Sequence, residues 1–355
     1  MKMIKRMICL LMMFMTALSV SACNGSENDI NKDNDSDNKL PIEQAKEIDI
    51  FEYEEVYFID CIDDKHLLAI KENDRLDKLS LAELSEKYPQ SIYSYDVEAD
   101  TYELILEQEN ANLGEAALSP DRSFMLYSVS TLGDPSFNVY DMKSKSRFSL
   151  SGDPIGGAIS AKWVSGEEII GAAYAGGIYI GDMRGSIRLL KEVTDEMVYL
   201  VEKAGDLIFY NTNSDPTLMS YNLKSGERKN LGFEGVQNIL RSPVGNQLLI
   251  VDSTGTGMAL YKYDFKKGIQ TKLAEGINIE GISWSPSGER IAYIMVSDDD
   301  MMSGGNLYVQ DLVTNQTEQI AEEIEYGTTL WDTTGERLVF TLWDGENRNS
   351  RIVNF

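Results

Sequence analysis

Chemistry has few places to reside in this chain. It holds one histidine, His66, in the run Asp63-Asp64-Lys65-His66 between two apolar stretches. Acyl transfer by a Ser or Cys nucleophile wants a His base beside it. No Gly-x-Ser-x-Gly turn is present either. His66 therefore reads as decoration of a turn, and no catalytic residue is expected. Carboxylates are abundant, and two of them suffice for glycoside chemistry. With 58 acidic residues, spacing nominates no pair. Asp298-Asp299-Asp300, followed by Met-Met-Ser-Gly-Gly, offers carboxylate and carbonyl oxygens of the kind Ca²⁺ accepts. The run lacks a fixed ligand spacing, so Asp298, Asp299 and Asp300 are the weak metal candidate, and no other cofactor is expected. The run 33–38, Asp-Asn-Asp-Ser-Asp-Asn, only superficially opens like an EF-hand loop. Asn38 stands where that loop needs Gly, and Gln44 where it needs Glu.

The three cysteines divide between leader and domain. Lys2, Lys5 and Arg6 precede an apolar run of about 14 residues, too short to span a bilayer comfortably. The run closes on Val20-Ser21-Ala22-Cys23, which resembles the lipobox of bacterial lipoproteins. The resemblance implies a signal peptide over 1–22 and a diacylglyceryl group on Cys23. Each buried CH₂ of an acyl chain contributes roughly 0.8 kcal/mol to membrane anchoring. Residues 23–42, rich in Asn and Asp, cannot bury enough surface to order themselves and read as a spacer. Cys9 leaves with the signal, so only Cys61 remains in the domain, with no disulfide partner. It lies in an apolar run and reads as a small buried hydrophobe.

Removing Lys2, Lys5 and Arg6 from the 32 basic residues leaves 29 against 58 acidic ones, a net charge of −29. That excludes nucleic acid, which needs a basic footprint. It also disfavours adhesion of the domain itself to anionic lipid.

Self-similarity sets the fold. A short strand, a tight turn and an apolar β-rich strand recur around 58–71, 116–129, 161–174, 202–212, 239–252, 281–296 and 329–343. The turns centre near 64, 122, 166, 205, 245, 288 and 335. After each comes an aromatic-rich strand, an Asp- or Asn-led turn and a returning strand, as in Leu307–Ile320. A four-stranded antiparallel unit with a period in the forties is a β-propeller blade. The expectation is an all-β, seven-bladed β-propeller over 43–355, six blades being the alternative count. The last unit lacks a fourth strand. The stretch 47–53, Glu-Ile-Asp-Ile-Phe-Glu-Tyr, is a spare strand able to complete it and cover the edge. Trp163, Trp284 and Trp331 share one register position in the first strands, which reads as packing between blades.

The run Trp284-Ser285-Pro286-Ser287-Gly288, with Leu118-Ser119-Pro120-Asp121 beside it, resembles the WD40-like (PD40) repeat of the TolB family. Related blades occur in the propellers of prolyl oligopeptidases. The resemblance covers most of 47–355 and implies the propeller fold. TolB itself carries an additional N-terminal α/β domain. Only the spacer stands there in this chain, so TolB's periplasmic partners are not carried over.

In a four-stranded blade the a–b and c–d turns leave on one face, and the b–c and d–a loops on the other. Here the b–c loops are the longer and more varied. They carry Asp134, Asp215, Asp252, Asp298, Asp299, Asp300 and Asp344, with Trp343 at the edge of the last. The insertion 71–90 is a b–c connection too, where Ser80, Glu83 and Pro89 predict a capped short helix. Variable loops on a rigid scaffold are where binding usually resides. The sequence thus predicts an extracytoplasmic lipoprotein, held on the cell membrane by its lipid. Its acidic loop face would bind an envelope protein, a basic ligand or a cation. It is not expected to be an enzyme. The alternative is a carboxylate-dependent enzyme on an envelope glycan or peptide.

Overall fold

The computed structural model describes residues 7–8, 50–80, 86–131, 135–297, 304–343 and 347–355. Cys23, Asp134, Asp298, Asp299, Asp300 and Asp344 lie outside the described residues, as do the spacer and most of the leader.

Seven four-stranded antiparallel units succeed one another along the chain. Blade 1 is Tyr57–Cys61, His66–Glu72, Gln90–Asp96 and Thr101–Leu106. Blades 2 to 6 begin with Asn112–Leu118, Lys162–Trp163, Val198–Ala204, Val236–Arg241 and Asn278–Trp284. Blade 7 is Thr328–Trp331, Arg337–Trp343 and Arg348–Asn354, and its fourth strand is Ile50–Tyr53. The spare N-terminal strand therefore closes the ring, with Ile50 opposite Val353 and Tyr53 opposite Ser350. Met7–Ile8 pairs with Ile50 and Phe51 outside it. Cleavage before Cys23 would remove that extra strand and leave Ile50–Tyr53 as the outer edge.

The blades are held by burial between them. Seven clusters of buried apolar side chains each join two consecutive blades, blade 7 with blade 1 included. Fully burying one Leu, Ile or Phe contributes about 1.5–3 kcal/mol, so these seven seams dominate stability. Cys61 belongs to one of them and is fully buried.

First strands touch first strands between blades 1 and 2, 4 and 5, 6 and 7, and 7 and 1. The Trp163 indole donates to the Ala117 carbonyl of blade 2 at 2.9 Å, and the Trp284 indole to Leu240 of blade 5 at 3.2 Å. The Leu118 amide donates to the Asp60 carboxylate at 2.7 Å, and the Lys162 ammonium to Glu202 at 2.8 Å. The shared tryptophan register is indeed inter-blade packing.

Turns repeat their chemistry. The hydroxyls of Ser119 and Ser285, and the carboxylate of Asp332, accept the amide five residues on, at 3.0–3.1 Å. The Ser-Pro-Ser-Gly run is thus a turn staple. In the c–d turns Asp96, Asp141, Asp182, Asp264 and Asp311 each accept two amides of their own turn, and Asn222 does the same in blade 4.

The helix expected in the insertion is absent from its described ends. Residues 81–85, including Glu83, lie outside the described residues. At the described start, the Ser80 amide and hydroxyl both donate to Asn110 Oδ1, at 2.9 and 2.7 Å.

Candidate functional site

The loop face bears a cleft of about 570 Å³ where blade 7 meets blade 1. Every wall comes from a b–c or d–a connection or from a strand end beside one. Trp343 ends the second strand of blade 7 and Arg348 begins the third, paired across the ladder. Glu55 and Tyr57 follow the closing strand, and Lys71 and Glu72 end the second strand of blade 1. The insertion supplies Leu79, Lys87, Tyr88 and Gln90. A second hollow, lined by Ser165, Glu167, Asp182 and Ser186, sits at the turns of blade 3 on the opposite face.

The insertion is a fastened wall. Buried Asn73 donates from its side chain to Glu107 at 2.8 Å and to Ser91 at 3.2 Å. Its amide donates to the Pro89 carbonyl at 2.9 Å, pinching the base of the loop. The Leu79 amide donates to Lys87 at 3.0 Å, the Leu79 side chain is buried, and the Gln90 amide donates to Asn112 Oδ1 at 3.0 Å. Such closure holds Lys87 and Tyr88 in place over the cleft.

Among the described residues, Lys71, Lys87 and Arg348 line the cleft with Glu55 and Glu72. The Arg348 guanidinium lies 4.6 Å from the Tyr57 ring centroid, a cation–π contact. Among the described residues no carboxylate is within ion-pair distance of Arg348. Lys87 stands 3.8 Å from Glu72, a loose pair. The Trp343 amide donates to the Glu325 carbonyl at 3.1 Å, and its ring is 37% exposed. Tyr326, next to Glu325, is the most exposed large apolar side chain described, at 79%.

Of the described candidate residues, Trp343 lines the cleft, and Asp215 and Asp252 do not. Asp215 and Asp252 each accept a backbone amide. Asp215 accepts the Thr217 amide at 2.9 Å, and Thr217 holds its carboxyl low. Asp252 accepts the Gly235 amide at 2.8 Å, while burial pushes its carboxyl up. His66 lies on the opposite face, its Nδ1 2.8 Å from Asp63.

Glu115 escaped the sequence reading. The first strand of blade 2 carries a one-residue bulge between Gly114 and Ala117, and Glu115 lies in it with φ 43°. The residue is exposed, and desolvation raises its carboxyl above the usual range. Similar bulges fall in the first strands of blades 1, 4, 5 and 6. In blade 6 the matching residue is Gly281, at φ 57°. Aligning Gly281-Ile282-Ser283-Trp284-Ser285-Pro286 with Glu115-Ala116-Ala117-Leu118-Ser119-Pro120 exposes the substitution, and that was the available signal.

The architecture defines a class, the seven-bladed β-propeller. The chain is similar to an oligogalacturonate lyase solved with manganese, at TM-score 0.65 and 10% identity, covering 88% of this chain and 94% of that one. It is similar to the oligogalacturonate lyase of Vibrio parahaemolyticus, at TM-score 0.64 and 9% identity, covering 87% and 94%. It is also similar to TolB from Acinetobacter baumannii, at TM-score 0.51 and 13% identity, covering 82% of this chain and 64% of that one. At these identities the likeness is one of fold. No protein-family model matches the chain, and no curated protein matches it in sequence.

The expectation that the chain is not an enzyme is overturned by these likenesses. Two of the similar structures are lyases over nearly their whole length, so lacking a His-based constellation does not exclude catalysis on this frame. Manganese is named with one of them. Among the described residues here no three His, Cys, Asp or Glu side chains converge, so they do not fit that metal.

Proposed function

We propose that this chain is a lipid-anchored, extracytoplasmic propeller that holds a ligand or envelope partner in the cleft between blades 7 and 1. The observation that carries the reading is the insertion. The b–c connection of blade 1 is fastened at its base by the hydrogen bonds of buried Asn73, and it walls a cleft of about 570 Å³. A cleft with a few convergent polar groups is the default binding site of an unassigned fold.

The place where the leader joins the domain supports the same reading. The closing strand enters at Ile50 on the a–b/c–d face and leaves at Tyr53 toward the loops. A tether from Cys23 thus arrives on the face away from the cleft. Radiolabelled palmitate incorporation, lost in Cys23→Ala, tests the anchor. Co-purification from membranes, compared with Trp343→Ala, tests the cleft: a partner retained equally by both proteins would refute it.

A second reading is turnover of a saccharide by a channel carboxylate. It is favoured by the likeness to lyases and by Glu115, whose carboxyl desolvation raises above the usual range, as suits a proton-transfer group. Product release from envelope glycans, lost in Glu115→Gln, would establish it.

A further inference from the structure

We propose that the loop face of blades 3 and 4 docks a cationic amphipathic peptide, a segment that sets Lys or Arg beside apolar residues. This surface shares no residue with the cleft between blades 7 and 1, and the inference does not rest on that cleft being occupied.

Backbone hydrogen bonds lace the connections of this sector into one platform. In the b–c turn of blade 3, the Tyr174 amide donates to the Gly157 carbonyl at 2.9 Å and the Ala175 amide to Ile155 at 3.0 Å. The Gly177 amide donates to Glu196, in the connection to blade 4, at 2.8 Å. The Asn213 amide donates to Met197 at 2.9 Å, and the Val236 amide to Pro216 at 3.1 Å, joining the b–c loop of blade 4 to blade 5. Gly176 allows the close approach, since a Cβ there would overlap the Asp195 carbonyl oxygen. Loops ordered in advance lose little entropy when a partner arrives.

Three large apolar side chains stand on that platform. Tyr174 is 41% exposed, Met197 39% and Tyr199 51%. Tyr199 is the extra residue of a bulge between Val198 and Leu200, at the loop-face end of the first strand of blade 4. Exposed apolar groups gathered in one place mark an interaction surface.

The rim decides what covers them. Asp153, Asp195, Glu196, Asp215 and Glu234 lie in the same connections, and all five are exposed. Among the described residues none of the five is in an ion pair, whereas Glu192 beside them stands 3.8 Å from Arg188. The connections 150–161, 173–177, 191–197, 213–217 and 231–235 bring one cation of their own, Lys191. A second copy of this acidic chain would be repelled there, and so would anionic lipid. A Lys or Arg stem can lie along a tyrosine ring while its charge reaches a rim carboxylate. An apolar residue of the same segment then covers Met197.

The test uses the whole mature chain, residues 23–355, carrying Cys23→Ser so that no lipid or detergent competes for the peptide. Fluorescence anisotropy follows three labelled probes of equal length. These are an amphipathic Leu/Lys peptide, the same pattern with Glu for Lys, and oligolysine. The Leu/Lys peptide is expected to bind, more weakly as salt rises, and about tenfold more tightly than oligolysine. The Leu/Glu peptide is expected not to bind. Tyr199→Ser and Met197→Ser are each expected to weaken binding about tenfold. The double variant Asp195→Asn, Glu196→Gln is expected to weaken it and flatten its salt dependence. Trp343→Ala is expected to leave it unchanged. Equal binding of oligolysine or of the Leu/Glu peptide would overturn the proposal. So would affinity unchanged in both apolar variants or in the charge variant, or absence of binding at millimolar concentration. Binding lost in Trp343→Ala and kept in the blade 4 variants would place the peptide in the cleft, overturning this proposal and supporting the cleft reading.

Discussion

Glu115 and Gly281 occupy the same place in two blades. Each is the first bulged residue of a first strand, facing one tyrosine on the neighbouring strand, and each has a left-handed backbone. At Gly281 a Cβ would stand 2.9 Å from both the Gly327 carbonyl oxygen and Ile294 Cδ1. Only glycine fits there. Blade 2 keeps a glutamate in a conformation that costs an L-residue roughly 1 kcal/mol or more. Glu115→Gly should relieve it and raise the melting temperature by a degree or two, glycine's greater unfolded-state entropy offsetting part of the gain. Gly281→Ala should lower it. Calorimetry on both variants checks the pair, and a fall in both would show that the bulge holds Glu115 without strain.

The seam of the ring depends on one hydroxyl. Ser350 Oγ, fully buried, accepts the Phe58 amide at 3.0 Å and donates to the Val56 carbonyl at 2.8 Å. It ties the last long strand of the chain to the first strand of blade 1. Ser350→Ala leaves two buried backbone groups unpaired, at a cost of about 2–3 kcal/mol. Urea unfolding measures it, and a change under 0.5 kcal/mol would mean that water replaces the hydroxyl.

Tryptophans in equivalent positions are not energetically equivalent. Trp163 donates its indole N–H to Ala117, whereas the buried Trp331 Nε1 has no partner among the described residues. Trp331 instead stacks on Phe355 at 5.5 Å, with the Arg290 guanidinium 4.8 Å from its ring. Trp163→Phe loses a hydrogen bond and leaves a carbonyl unpaired, costing about 1–3 kcal/mol beyond packing. Trp331→Phe removes an unsatisfied donor and should cost less. The ordering of the two midpoints in denaturant is the readout.

Acid should loosen the c–d turns together. Asp96, Asp141, Asp182, Asp264 and Asp311 are held below the usual carboxylate range, chiefly by amides of their own turns. A carboxyl depressed by folding contributes stability that is present above its unfolded value, about 3.9. That stability is lost as pH falls through the folded values. Melting temperature should therefore drop steeply below about pH 4. Asn222 makes the same turn without titrating. Replacing all five aspartates by asparagine should flatten the acid limb, and an unchanged limb would place the acid sensitivity elsewhere.

The period of the turns, the seven blades, the closing strand and the tryptophan register were all legible in the chain. Each is a repeat of local chemistry: Ser or Asp accepting an amide a few residues on, and apolar alternation along a strand. The insertion was visible as an irregularity in that period, but its wall was not. Ser80 donates to Asn110, 30 residues away, a partner that spacing did not show. Asp215 and Asp252 were read as loop carboxylates, and the structure adds that they accept the amides of Thr217 and Gly235. Local patterns cannot show which neighbour a polar side chain will find.

The sequence by itself determined the ring, because a propeller is one local unit repeated until it closes. Only the tertiary structure decided where a cleft would form and which residues would line it. Tyr57 and Arg348 are separated by almost the whole chain, and ring closure alone sets one upon the other. Net charge sums over every residue, whereas a ligand meets only those that closure brings to one place.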